Sequence, residues 1–304
     1  MTIAEWIERV TRDFETAGLC FGHGTDNARD EAAWLVLHAA GAPLDGSFDG
    51  WGGSVDDAAA EIICRLARQR IDTRQPLAYL LGTAWFAGLE FEVSPDVLVP
   101  RSPLAELIGD GFRPWLQPER VQRVLDLCTG SGCIAVATAR QLPLAMVDAS
   151  DISPAALALA ARNVRRHGLD DRVRLIRSDL FASIPRRDYD LITANPPYVP
   201  ATALANLPPE YRAEPGLGLA SGSDGLDAVL QILVDAPAFL GEHGILVCEV
   251  GESEQRLADV LPRLPFLWLE FEHGGSGVFL MTRPQLQAAA ADLENLIGKR
   301  RNVA

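Results

Sequence analysis

The chain has 304 residues, 48% hydrophobic and 22% charged, as expected of a globular protein with a large core and room for a smaller second unit. No run approaches the roughly 20 apolar residues of a membrane span. With 27 Lys and Arg against 41 Asp and Glu, the net charge of −14 argues against stable binding to bare nucleic acid and favours a cationic partner.

The amino terminus, MTIAEWIERVTRDF, mixes acids with bases and lacks an apolar core before a small-residue cleavage site. It reads as neither signal nor transit peptide, so a cytoplasmic location is expected. The five cysteines are odd in number and scattered, which fits reduced thiols. Only Cys128 and Cys133 lie close together, without a histidine nearby, so no metal is expected.

IAEWIERVTRDF, ARDEAAWLVLHAA and VDDAAAEIICRLARQRI carry apolar residues at helical spacing and predict three helices. Asp26 or Asn27 is placed to cap the second, and Gly41 with Pro43 to end it. GSFDGWGGS reads as a loop, and AWFAGLEFEVSP as a hairpin turning at Ala-Gly. The expected organisation is a helical substrate-recognition domain over 1–82, a hairpin linker over 83–96 and a catalytic domain over 97–304. The first of these carries 7 basic and 13 acidic side chains.

From residue 97 the pattern alternates. Strands are expected at RVLDL, AMVDAS, RVRLI, YDLITA, GILVCEV, FLWLEF and GVFLMT. Helices are expected at CIAVATARQL, SPAALALAARNVRRHG, GLDAVLQILVDAPAFL and SEQRLADVLPRL. This is an α/β chain with a doubly wound, mostly parallel sheet that binds ligands at the carboxyl ends of its strands. LQAAAADLENL reads as a closing helix, and Lys299-Arg300-Arg301 as a solvated tail.

Four strand ends carry chemistry. The first runs into DLCTGSG, where Asp126 ends the strand and Gly130 and Gly132 turn it so that a ligand can approach the backbone. Asp151, about 20 residues on, stands where an acid accepts hydrogen bonds from ribose hydroxyls. Asp148 is its rival, and either acid can instead cap the next helix. Asp179 ends the third strand, either as an acceptor for an adenine amine or as a plain helix-start aspartate. The fourth delivers Asn195-Pro196-Pro197-Tyr198. Prolines offer carbonyl acceptors but no N–H, and Asn195 adds a side-chain carbonyl. Acceptors converging in this way suit a substrate –NH₂. They orient a planar, weakly nucleophilic nitrogen and stabilise the positive charge it gains on attacking a carbon electrophile, with Tyr198 over the planar group.

NPPY after the fourth strand, with DLCTGSG and DIS upstream, resembles the S-adenosylmethionine-dependent amino-group methyltransferases, a signature shared by enzymes of DNA, RNA and protein. The helical amino-terminal part, the hairpin and FEVSPDVLVPRSP resemble the HemK-type protein-glutamine methyltransferases. PRSPLAELI, GHGTDN and WLEFEHGGSGVFLMTR are similar to their ribosomal branch rather than to release-factor enzymes, which carry an acidic segment after Pro-Arg. The resemblance spans nearly the whole chain. It implies a Rossmann-like fold with a seven-stranded sheet and methylation of a glutamine in the third protein of the large ribosomal subunit. S-Adenosylmethionine is the implied cofactor and S-adenosylhomocysteine its product. Asp126, Gly130, Gly132, Asp151, Leu180 and Asn195 are the implied cofactor contacts, with Cys128 in place of the usual first glycine and Asp179 beside Leu180. Asn195 to Tyr198 form the implied amide clamp. Arg101 and Glu214 are read either as braces of that clamp or as a structural ion pair, and His23 as a hydrogen-bonded turn residue.

Overall fold

The computed structural model describes residues 1–44 and 46–301, so the last three positions of the expected catalytic domain lie outside the described residues. Among the described residues no helix is long and apolar enough to cross a membrane. The chain divides into two compact units. One comprises 1–95, 99–101 and 206–214, the other 96–98, 102–205 and 215–304. The hairpin clusters with the helices rather than standing as a linker, and a segment from beyond the clamp joins the same unit.

The first unit is built on α1 (Ile3–Thr16), α2 (Ala28–Ala39) and α3 (Asp57–Thr73). Thr2 caps α1 in a reciprocal box with Glu5, and the helix buries Ile3, Trp6, Ile7, Val10 and Phe14 along one stripe. Asn27, rather than Asp26, caps α2 by accepting from the Asp30 N–H at 2.9 Å. Asp56 caps α3 in the same way. The hairpin pairs β1 (Thr83–Phe86) with β2 (Leu89–Glu92), and Ala87 and Gly88 both take positive φ at the turn.

The second unit holds a seven-stranded sheet. Its strands are β3 (Arg123–Leu127), β4 (Met146–Asp151), β5 (Val173–Arg177), β6 (Tyr189–Ala194), β7 (Leu240–Glu249), β8 (Leu267–Trp268) and β9 (Val278–Thr282), in the order β5-β4-β3-β6-β7-β9-β8. β3 to β7 run parallel, and β9 returns antiparallel between β7 and β8. The chain first steps outward from β3 to β5 and then crosses to β6 on the other side of β3. The strand order therefore reverses between β3 and β6, where such sheets open a crevice. Both faces of the central strands are covered, as their continuous burial requires. Ser153 caps helix Pro154–Arg166 with proline at its first position. The expected strand FLWLEF contracts to Leu267–Trp268, with only two residues registered against β9.

The carboxyl-terminal tail differs from expectation. LQAAAADLENL closes the chain as helices, but Arg300 is not solvated. Its guanidinium forks onto Asp224 with two 2.7 Å bonds and reaches Asp227 as well, because the last helix lies along Asp227–Asp235.

Candidate active site at the carboxyl edge of the sheet

Register brings the predicted residues level. Leu127 pairs with Ser150 on one side and Ala194 on the other, so the turn after β3, Asp151 and Asn195 begin at the same edge. The turn alternates left-handed residues: Cys128 at φ 57°, Gly130 at 56° and Gly132 at 80°. Cys128 adopts this conformation despite its Cβ, as does Leu180 at φ 44° after β5. Two non-glycine residues held this way at one sheet edge mark a backbone fixed by its surroundings, a common feature of functional sites.

The two glycines differ in purpose. A Cβ on Gly130 would meet nothing within 4 Å, so the turn is open above it. One on Gly132 would come 3.2 Å from the Ala160 Cβ, so Gly132 lets two helices approach. Asp151 accepts from the Gly130 N–H and the Ser153 N–H, both at 2.9 Å, which locks the carboxylate to the turn. Asp148, the rival, is buried within β4 and accepts from the Tyr189 hydroxyl at 2.6 Å. It belongs to the core.

Asp126 lies beneath the turn, fully buried. Its two oxygens accept from Thr129 at 2.6 Å and Thr193 at 2.8 Å, tying the turn to β6. Burial pushes its pKa up to about 7, against the restraint of those hydroxyls, and the nearby Asp151 charge adds to the rise. Burial also raises the Cys128 thiol, helped by the charges of Asp151, Asp126 and Asp179. Asp179 is exposed, and no described side chain or backbone group pairs with its carboxylate. The neighbouring Ser178 hydroxyl instead accepts from the Ser183 N–H, so Asp179 does not cap the turn after β5.

Asn195 is half-buried at the end of β6, and its amide makes no hydrogen bond among the described residues. Pro196 is buried, Pro197 half-buried, and the Tyr198 hydroxyl donates to Glu249 at 3.2 Å. Glu249, at the end of β7, also accepts from Ser102, while Ser253 donates to the Tyr198 carbonyl at 2.8 Å. A Cβ on Gly251 would come 2.6 Å from the Tyr198 ring, and one on Gly225 would strike the Tyr198 carbonyl. Ser102, Gly225, Glu249, Gly251 and Ser253 thus fix the clamp's tyrosine. None was singled out from sequence, where Gly225 and Ser253 open expected helices and Glu249 falls in an expected strand. The available signal was the Glu-Val-Gly-Glu-Ser run at a strand end.

Arg101 and Glu214 do pair, through two 2.6 Å bonds, and both belong to the helical unit. Glu214 also accepts from the Val99 N–H at 3.0 Å, and the His23 Nε2 stands 3.5 Å away. Burial alone would raise Glu214. The contacts with His23 and Arg101 overcome it and bring its pKa down to about 2. His23 is buried against the Tyr211 ring, with centroids 4.4 Å apart. It lies in the loop between α1 and α2, with Nε2 turned to Glu214 and Nδ1 without a partner among the described residues.

Asp151 fits a ribose hydroxyl donor, since each oxygen retains acceptor capacity at a turn whose upper side is open. This sheet, with its glycine turn and strand-end acids, is that of a Rossmann-like methyltransferase, and residues 113–206 match the family model described as the methyltransferase small domain. A ribosomal protein uL3 glutamine methyltransferase of Xanthomonas campestris pv. campestris is 50% identical over 300 residues, 98% of this chain and 97% of its own. One from Xylella fastidiosa is 50% identical over 287 residues, 94% and 92% of the two chains. The chain belongs to the ribosomal protein uL3 glutamine methyltransferase family. A solved ribosomal protein L11 methylase from Lactobacillus delbrueckii subsp. bulgaricus covers 62% of this chain and 82% of its own, at 20% identity and a TM-score of 0.43, too distant to carry more.

Proposed function

We propose that this protein methylates the side-chain amide nitrogen of a glutamine in ribosomal protein uL3, in the cytoplasm, using S-adenosylmethionine. The uncommitted Asn195 amide beside a tyrosine fixed by Glu249 and Gly251 carries the reading, and the family supports the substrate.

S-Adenosylmethionine, when bound, supplies an electrophilic methyl group and leaves as S-adenosylhomocysteine. Asp151 would accept from its ribose and Asp179 from its adenine amine, and the turn from Cys128 to Gly132, with Leu180, would hold it. Asp126 acts from below by holding Thr129 and Thr193. The Asn195 side-chain carbonyl and the Pro196 backbone carbonyl accept the two hydrogens of the substrate amide. These acceptors would stabilise the positive charge that grows on the amide nitrogen as it takes the methyl group from sulfur. Tyr198 covers the amide plane, and the alkylated nitrogen then loses its acidic proton to water, so no dedicated base is needed. Pro197 stiffens the clamp.

Labelled S-adenosylmethionine is offered with purified uL3, a release factor and ribosomal RNA in separate reactions, and the products are hydrolysed. Methylglutamine from uL3 is expected. Label confined to release factor or to nuclease-sensitive material would overturn the assignment.

A further inference from the structure

Three of the chain's six tryptophans, Trp34, Trp51 and Trp85, meet around one pocket of the helical unit, a hollow of about 320 Å³. Phe48 stands edge-on to Trp51, with ring centroids 4.9 Å apart at 84°. Trp51 and Trp85 are 44% and 39% exposed, an unusual state for the largest apolar side chains. Asp30 is the one charged side chain among the described lining residues. The Trp34 ring lines the hollow, and its indole N–H is buried without an acceptor among the described residues.

These features favour one kind of occupant. Indole faces carry negative potential and attract ammonium and guanidinium groups. The Asp30 carboxylate adds to that field, no lining side chain opposes it, and the first 82 residues hold 13 acids against 7 bases. A purely aliphatic ligand would use neither the carboxylate nor the negative indole faces.

We propose that this pocket receives a lysine or arginine side chain from a basic segment of the substrate protein, held against the indole faces and beside Asp30. It docks the substrate through residues that take no part in methyl transfer. The proposal deepens the functional reading and rests on the substrate being a basic ribosomal protein.

The full-length protein is titrated with Gly-Ser peptides carrying three arginines, three leucines or three glutamates. The Trp34 indole N–H resonance, assigned with Trp34→Phe, is followed by NMR. The arginine peptide should shift it, and Trp51→Ala or Asp30→Asn should weaken that binding about five- to thirtyfold. The same variants should raise KM for uL3 while leaving S-adenosylmethionine affinity unchanged. Equal binding of the leucine peptide would overturn the proposal. So would a shift driven by enzyme concentration alone, which would mean a second copy covers the pocket, or no shift with any peptide. Wild-type enzyme that binds the arginine peptide yet never methylates uL3 would leave the cation pocket standing and break only the substrate assignment.

Discussion

Glu214 and Asp126 are both carboxylates withdrawn from water, yet the two regions that bury them treat the charge in opposite ways. In the helical unit Glu214 meets a guanidinium in a fork, a backbone N–H and His23, and its pKa falls to about 2. Under the β3 turn Asp126 meets two hydroxyls and, among the described residues, no cation, and its pKa rises to about 7. Burial opposes ionisation in both, and only a partner of opposite charge reverses it. The helical unit pairs charges elsewhere: Arg70, fully buried in α3, donates to Glu31 at 2.7 Å, where burial still outweighs the pairing and raises the carboxyl, and Arg74 stands 3.3 Å from Glu210, whose carboxyl is lowered. Its buried charges hold one another. The sheet edge instead ties some acceptors to its own backbone and leaves Asn195 and Asp179 uncommitted. One arrangement serves stability, and the other leaves groups for a ligand.

The largest expected stability effect is Glu214→Ala, which removes the charged acceptor shared by Arg101 and the Val99 N–H and should lower unfolding stability by about 3 kcal/mol in denaturant titration. Its pKa is depressed, so its contribution is present above the unfolded value near 4.5 and is lost as pH falls towards 2. Glu214→Gln should flatten that acid limb, and an unchanged limb would refute the pairing as its cause.

Asp126 should show the opposite slope. Its folded pKa is raised, so the folded state holds the extra proton from about pH 4 to 7, and stability declines as pH rises through that window. The slope is about 1.4 kcal/mol per pH unit. Asp126→Asn should remove it, as read from thermal melts across that range. A variant that keeps the slope would place the buried charge elsewhere.

Asn195→Ala tests the other half of the comparison. It should slow single-turnover methylation a hundredfold or more, about 2.7–4 kcal/mol, with little change in melting temperature. A rate near wild type would sink the clamp mechanism, and a large melting shift would show the amide to be structural. Asp151→Ala should weaken S-adenosylmethionine binding by about 1.5–3 kcal/mol in calorimetry. Unaltered affinity, with a loss at Asp148→Ala, would reverse the choice between the two aspartates.

Much of this was legible in the amino-acid order. Period-2 and period-3.6 apolar patterns fix strand and helix locally, so β3 to β6 and the helix starting at Pro154 fall within a residue or so of where the pattern places them, while β7 starts earlier, at Leu240. NPPY and the glycine turn also declare themselves, because proline and glycine alter the backbone whatever surrounds them. What the sequence could not decide was which distant groups meet. Asp148 and Asp151 lie three residues apart, and only sheet register and the Tyr189 hydroxyl separate core from edge. Glu249 and Gly251 became supports of Tyr198 only when β7 was laid beside β6. Arg300 became a paired residue through a contact 76 positions away. Trp34, Trp51 and Trp85 sit on three separate segments, and no local rule joins them. Local backbone preference acts over a few residues and can be read from their order. Burial and charge pairing depend on the three-dimensional neighbourhood, which only the folded chain supplies.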